Sequence, residues 1–304
     1  MRKLYFALLT LLLTATCVHA QVDPQFSMYM FNRTVTSPAS VGARGALNIT
    51  AVGRSQWVGI DGHPNTFTLS ADAPIDALHG GLGGYFMYDQ IGPISTVAGK
   101  LAYAFRFDFG GERGEGPALQ LGVMPGFFFK QIDGTNFRPL EFQDPVIRDL
   151  IGQTGSSTQF DLGAGVYFDL PDDKMFLGLT VDHLLEPTLD NLSGLNGNSE
   201  QTLQNTTIPR SLSFLGGYRI GRDDAPVTVT PSTQIRLGDL TNFNTMQIDA
   251  NVNINVDPLV FGVSYRVMDI SEVIGIVGFN ANQRLFIAYS YDYPFAALRG
   301  STSG

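Results

Sequence analysis

Few stretches of this chain carry residues whose type and spacing could do chemistry. The run Gly80-Gly81-Leu82-Gly83-Gly84 has the glycine density of a phosphate cradle. A cradle needs a following helix or Lys-Ser/Thr, and neither is present, so small residues on a strongly bent strand explain the run better. His63, His79 and His183 are scattered. His183-Leu184-Leu185-Glu186 places a histidine and a carboxylate at helical spacing on what reads as a strand end, where metal ligands would not converge. No Gly-x-Ser-x-Gly elbow occurs. Asp72, Asp161 and Asp249 could form a carboxylate pair. The favoured reading makes them structural partners of Arg54, Lys100, Arg106, Arg236 and Arg266, as polar groups facing an enclosed interior. No pattern calls for a cofactor or for catalysis.

The elements that position these groups read as strands. In Asn65 to Ile75, Phe67, Leu69, Ala71 and Ala73 alternate with Thr66, Thr68, Ser70 and Asp72. That period of two gives one apolar and one polar face. With Ala46 to Trp57 and the Gly- and Pro-bearing turn Val58 to Pro64, it makes an antiparallel hairpin. The same unit recurs to the end of the chain. In Met246 to Asn255, for example, Met246, Ile248, Ala250, Val252 and Ile254 interleave with Gln247, Asp249, Asn251, Asn253 and Asn255. About thirteen strands and no convincing helix follow, so the fold class is all-β. Residues 21–44 lack this periodicity yet carry Phe26, Met28, Tyr29, Met30 and Phe31. They read as a separate segment packed against the domain wall, as a plug, or as a docking strand.

Arg2 and Lys3, the apolar run Leu4 to Leu13 and Val18-His19-Ala20 make a secretory signal peptide over residues 1–20, cut between Ala20 and Gln21. Cys17 follows Thr16, a poor context for lipid attachment, and its removal leaves no cysteine for disulfides or thiolate metal sites. Losing Arg2 and Lys3 takes the formal charge from −9 to −11, and an acidic chain without a basic run excludes nucleic acid as a partner. No other stretch approaches the ~20 apolar residues of a membrane helix, but a transmembrane sheet needs only half-apolar strands.

Several strands reach about ten residues, enough to cross a bilayer, and aromatic residues gather near strand ends at Trp57, Phe127 to Phe129 and Tyr289 to Tyr293. Connections also sort by parity. The two long ones, Gly134 to Ser157 and Glu186 to Ile208, fall on one side, and tight turns fall on the other. That is the layout of an outer-membrane barrel. The expectation is a transmembrane antiparallel up-and-down β-barrel over residues 45–304. An even strand count calls for a 14th closing strand, so the expectation is a sequence truncated by one strand at its C-terminus, with a miscounted strand as the alternative.

Asp23-Pro24-Gln25-Phe26-Ser27-Met28-Tyr29-Met30-Phe31-Asn32, Gln56-Trp57-Val58-Gly59-Ile60-Asp61-Gly62-His63-Pro64 and Leu69-Ser70-Ala71-Asp72-Ala73-Pro74 resemble the PorP/SprF family. Ile91-Gly92-Pro93, Leu101-Ala102-Tyr103 and Ala288 to Tyr293 extend the likeness along nearly the whole mature chain. Ser37-Pro38-Ala39 stands where family members often carry Asn-Pro-Ala. The resemblance implies a non-enzymatic outer-membrane component of the type IX secretion and gliding machinery of Bacteroidetes-type bacteria. Its implied partners are the C-terminal domains of secreted cargo, adhesin-like proteins among them, accessory secretion and gliding lipoproteins, and outer-membrane lipid. A diffusion channel or hydrophobic-solute transporter is the alternative, and a soluble carbohydrate-binding sandwich a third.

Overall fold

The alternation between Asn65 and Ile75 becomes one strand of a single antiparallel sheet. The computed structural model describes residues 24–111, 113–136, 151–188, 207–222, 225–267, 271–282 and 284–294. The signal segment 1–20, its cut between Ala20 and Gln21, and the centres of both long connections lie outside these residues.

The strands are β1 (Asn48–Ser55), β2 (Asn65–Ile75), β3 (Gly80–Ile91), β4 (Ile94–Asp108), β5 (Ala118–Asp133), β6 (Thr154–Asp169) and β7 (Met175–Asp182). They continue as β8 (Ser211–Tyr218), β9 (Val227–Leu237), β10 (Met246–Val256), β11 (Leu259–Val267), β12 (Glu272–Ala281) and β13 (Leu285–Pro294). Each pairs antiparallel with its chain neighbour, so spatial order follows chain order from β1 to β13. Short connections between most of the alternating segments favour pairing with the chain neighbour. At 15 and 16 residues, β4, β5 and β6 exceed the length a bilayer crossing needs. Tight turns at Asp76–Leu78 and Pro171–Asp173 lie at one end, and the connections β5–β6 and β7–β8 at the other. No helix among the described residues is long and apolar enough to cross a membrane.

The expected closed barrel is not what forms. The sheet is open: β1 and β13 are its two edge strands and do not pair with each other. Period-two alternation and short connections are local signals that fix which neighbours pair. They carry no information on whether the first and last edges meet.

The two faces invert the pattern of a water-soluble sheet. On β2 the buried residues are Thr66, Thr68, Ser70 and Asp72, while Phe67 and Leu69 are exposed. On β10 they are Gln247, Asp249, Asn251 and Asn253, with Val252 and Ile254 exposed. Leu101 on β4 and Phe160 on β6 are 73% and 75% exposed. Polar groups are therefore enclosed, and a continuous apolar surface spreads across the other face, far beyond the scattered apolar residues of a soluble monomer.

What encloses the polar face is the segment before β1. It contains a one-turn helix, α1 (Arg33–Thr36), and a 3₁₀ turn at Pro38–Ser40, neither of which the sequence pattern revealed. Tyr29, Ala39 and Val41 are fully buried there. The glycines of the cradle-like run let the backbone approach. A Cβ on Gly81 would sit 2.6 Å from the Val41 carbonyl carbon and 2.8 Å from Gly42 Cα. On β5, a Cβ on Gly122 would sit 2.5 Å from Ala39 Cα and 2.6 Å from the Pro38 carbonyl carbon. Gly81 and Gly83 of the run form a close-packing surface for the N-terminal segment, while Gly80 and Gly84 lie against β4.

Candidate functional site

The candidate site is the polar face together with the segment laid on it. Residues 24–44 run from the long-connection end of the sheet toward the tight-turn end, and each stretch binds a different strand. Near the start, the Ser27 hydroxyl donates to Asp292 Oδ2 on β13 at 2.5 Å, and Arg266 Nη2 on β11 approaches Ser27 Oγ at 3.4 Å. The Tyr29 hydroxyl reaches Ser232 Oγ on β9 at 3.4 Å and the Asp249 carbonyl on β10 at 3.5 Å. Burial pushes the Tyr29 phenol up from its ordinary range, against the pull of Ser232.

Arg33 forms the tightest anchor. One guanidinium nitrogen donates to the Tyr167 hydroxyl on β6 at 3.0 Å, the other to Asp173 Oδ2 in the β6–β7 turn at 2.7 Å. Its planar group lies over the Phe176 ring, 3.6 Å from the centroid. Burial works to lower its pKa, but Tyr167 and Asp173 outweigh that and hold Arg33 charged. At the far end, Asp72 on β2 accepts from Thr34 Oγ1 at 2.8 Å and from the Gly42 amide at 3.0 Å, with Arg44 at 3.7 Å. Ser70 Oγ, also on β2, donates to Asn32 Oδ1 at 2.8 Å.

The charged residues singled out from the sequence distribute over this face in separate clusters. Arg266, 1% exposed, donates to Asp249 at 2.7 Å and also meets Glu272 at 3.1 Å and Asp292 at 3.7 Å. Lys100 Nζ lies 2.6 Å from Asp161 and 3.7 Å from Asp182, and His183 Nδ1 lies 2.9 Å from Asp161. Gly126 on β5 stands in register between Lys100 and Asp161, so no side chain blocks the reach across it. Arg106 holds Asp108 at 2.8 Å and Asp169 at 3.1 Å. Arg54 is half-buried and donates to Gln56 at 2.9 Å, and Arg236 is half-buried on β9. Asp72, Asp161 and Asp249 each face a cation, and none faces another of the three.

Such buried charges are tolerated in a low-dielectric site only when paired and hydrogen-bonded. The sequence did not single out Asp169, Asp173, Asp182, Glu272 or Asp292, nor Tyr29 and Arg33. Asp169 was within reach, because it lies eight residues from Asp161 on one strand and so shares its face. Arg33 and Tyr29 lie in a segment without periodicity, where no sequence signal gives direction. No cluster of His, Cys, Asp and Glu suited to a metal ion occurs among the described residues.

A sheet with its polar side enclosed and its apolar side outward is built to meet lipid, and one family description accounts for it. The family model for the type IX secretion system membrane protein PorP/SprF matches residues 18–304. The chain belongs to the PorP/SprF family. No curated protein matches it. As a PorP/SprF protein it is a non-enzymatic outer-membrane component of the type IX secretion and gliding machinery, and it works with other components of that machinery. The exposed apolar face, with Leu101, Phe160, Ile287 and Tyr289, is the face such a membrane protein turns to lipid.

Proposed function

We propose that this PorP/SprF protein anchors surface cargo, or assists its export, by docking the cargo's C-terminal domain at the long-connection end of the sheet. In this reading residues 1–20 are removed as a signal peptide, and residues 24–44 are a fixed filling of the polar face. Accessory secretion and gliding lipoproteins complete the assembly. The observation that carries the reading is the reach of the N-terminal segment. Hydrogen bonds given by Ser27, Tyr29, Arg33 and Thr34 and accepted by Asn32 engage β2, β6, β9, β10, β13 and the β6–β7 turn. A diffusion channel needs that polar face free for water and solute, whereas an anchor has no use for a conduit.

The test is co-purification in mild detergent from cells carrying the full-length gene, with the recovered proteins identified by mass spectrometry. A large secreted protein recovered through its C-terminal domain supports docking. A protein that comes out alone, from cells that secrete and glide normally without it, points to the channel reading, which conductance of the purified protein would then confirm. Deleting 137–150 or 189–206 should reduce cargo retention without stopping membrane insertion. These limits spare Thr154–Ser157, which belong to β6, and Ile208, which is buried. Unchanged retention in both deletions rules the long connections out as the cargo site.

A further inference from the structure

Among the described residues, the polar face contains a hollow with an apolar patch on its wall. Phe26, Tyr85, Met87, Ala98, Phe128 and Ile208 wall a cavity of about 110 Å³ at the long-connection end. A void of about 150 Å³ holds one benzene-sized group, so this one has room for a single branched aliphatic or small aromatic side chain. Gln247 on β10 lines the same cavity and is 4% exposed. Its Nε2 donates to Asp249, but its Oε1 is buried and has no partner among the described residues. An orphaned buried acceptor costs about 1–3 kcal/mol, so it marks a place where a donor belongs.

We propose that this hollow receives one apolar anchor residue of an extended partner polypeptide, whose backbone N–H donates to Gln247 Oε1. The inference rests on the docking reading and names its contact point. A peptide is the ligand that presents a residue-sized apolar group beside an N–H donor, and an apolar patch beside placed polar groups gives a pocket its specificity. The position fits a partner arriving from outside. Asp182 and His183, which also line the hollow, precede the segment 189–206, and Ile208 follows it.

The experiment places the photo-crosslinking residue p-benzoyl-phenylalanine at Gln234, on the wall of the hollow, in the full chain in cells. Irradiation should yield an adduct with a secreted polypeptide. Ala98→Leu, which fills the void, should reduce that adduct at least tenfold while the protein still reaches the membrane. Ala98→Ser, which leaves the space open, should preserve it. An adduct confined to lipid, to a small molecule or to the chain itself overturns the proposal, as does an Ala98→Leu adduct at the original level. Cargo that still co-purifies with Ala98→Leu at full yield removes the hollow from the contact and leaves the docking reading standing. Absence of any secreted protein with the unaltered chain ends both.

Discussion

Gly122→Ala should release the N-terminal segment without unfolding the sheet. The new Cβ would lie 2.5 Å from Ala39 Cα, and ordinary contact begins near 3.4 Å, so the backbone at 38–39 must retreat by about an ångström. The obstruction is main chain rather than a flexible side-chain end, so no rotamer change relieves it. A shift of that size breaks the two hydrogen bonds that Thr34 Oγ1 and the Gly42 amide donate to Asp72, which lie on either side of the displaced turn. Bonds to a charged group contribute about 1.5–3 kcal/mol each, so roughly 3 kcal/mol of local stability is lost at the low end. Each 1.4 kcal/mol is tenfold, so amide exchange over residues 24–44 should rise about a hundredfold. Hydrogen–deuterium exchange with mass spectrometry measures this on purified protein in detergent. Gly275→Ala is the control, because nothing lies within 4 Å of a Cβ there. Unchanged exchange in Gly122→Ala, or an equal rise in Gly275→Ala, would refute the claim that close glycine contacts seat the segment.

Arg266→Met leaves Asp249, 1% exposed, without its cation, and should cost about 3–5 kcal/mol, read as a lower thermal midpoint in detergent. Adding Asp249→Asn should recover part of the loss. Burial raises the Tyr29 phenol above its ordinary 10.0, so the stability it contributes is complete below pH 10 and is lost as pH climbs toward the folded value. The thermal midpoint should therefore fall more between pH 9 and pH 11 in the unaltered protein than in Tyr29→Phe, and equal falls would dismiss Tyr29 as the cause. Phe160→Arg puts a charge on the most exposed part of the apolar face and should destabilise the protein by about 2–4 kcal/mol in lipid vesicles, measured by urea titration, with little effect in water-exposed turns such as Asp76→Arg.

Much of the sheet was legible in the residues. Alternation in Asn65 to Ile75 and Met246 to Asn255 located β2 and β10, because a strand's side chains change face at every residue. The family resemblance at Gln56 to Pro64 and Asp23 to Asn32 led to the family that the match over residues 18–304 shows. Charged residues sharing a face, such as Lys100 with Arg106, could be named from spacing alone. Their partners could not. Whether Lys100 meets Asp161 depends on the register of β4, β5 and β6 and on Gly126 standing between them.

What the amino-acid order determined by itself was the local part: which segments extend, which neighbours pair, and which face of each strand is polar. Alternation is the same whether water or lipid lies outside, so an enclosed polar face had to be expected from strand length and the sorting of the connections, and tertiary structure supplied what encloses it. It decided that β1 and β13 remain edges, which no neighbour-to-neighbour signal can specify. It also decided the place of Tyr29, Arg33 and Thr34. An aperiodic segment has no face of its own, and its direction comes only from the strands and glycines it meets.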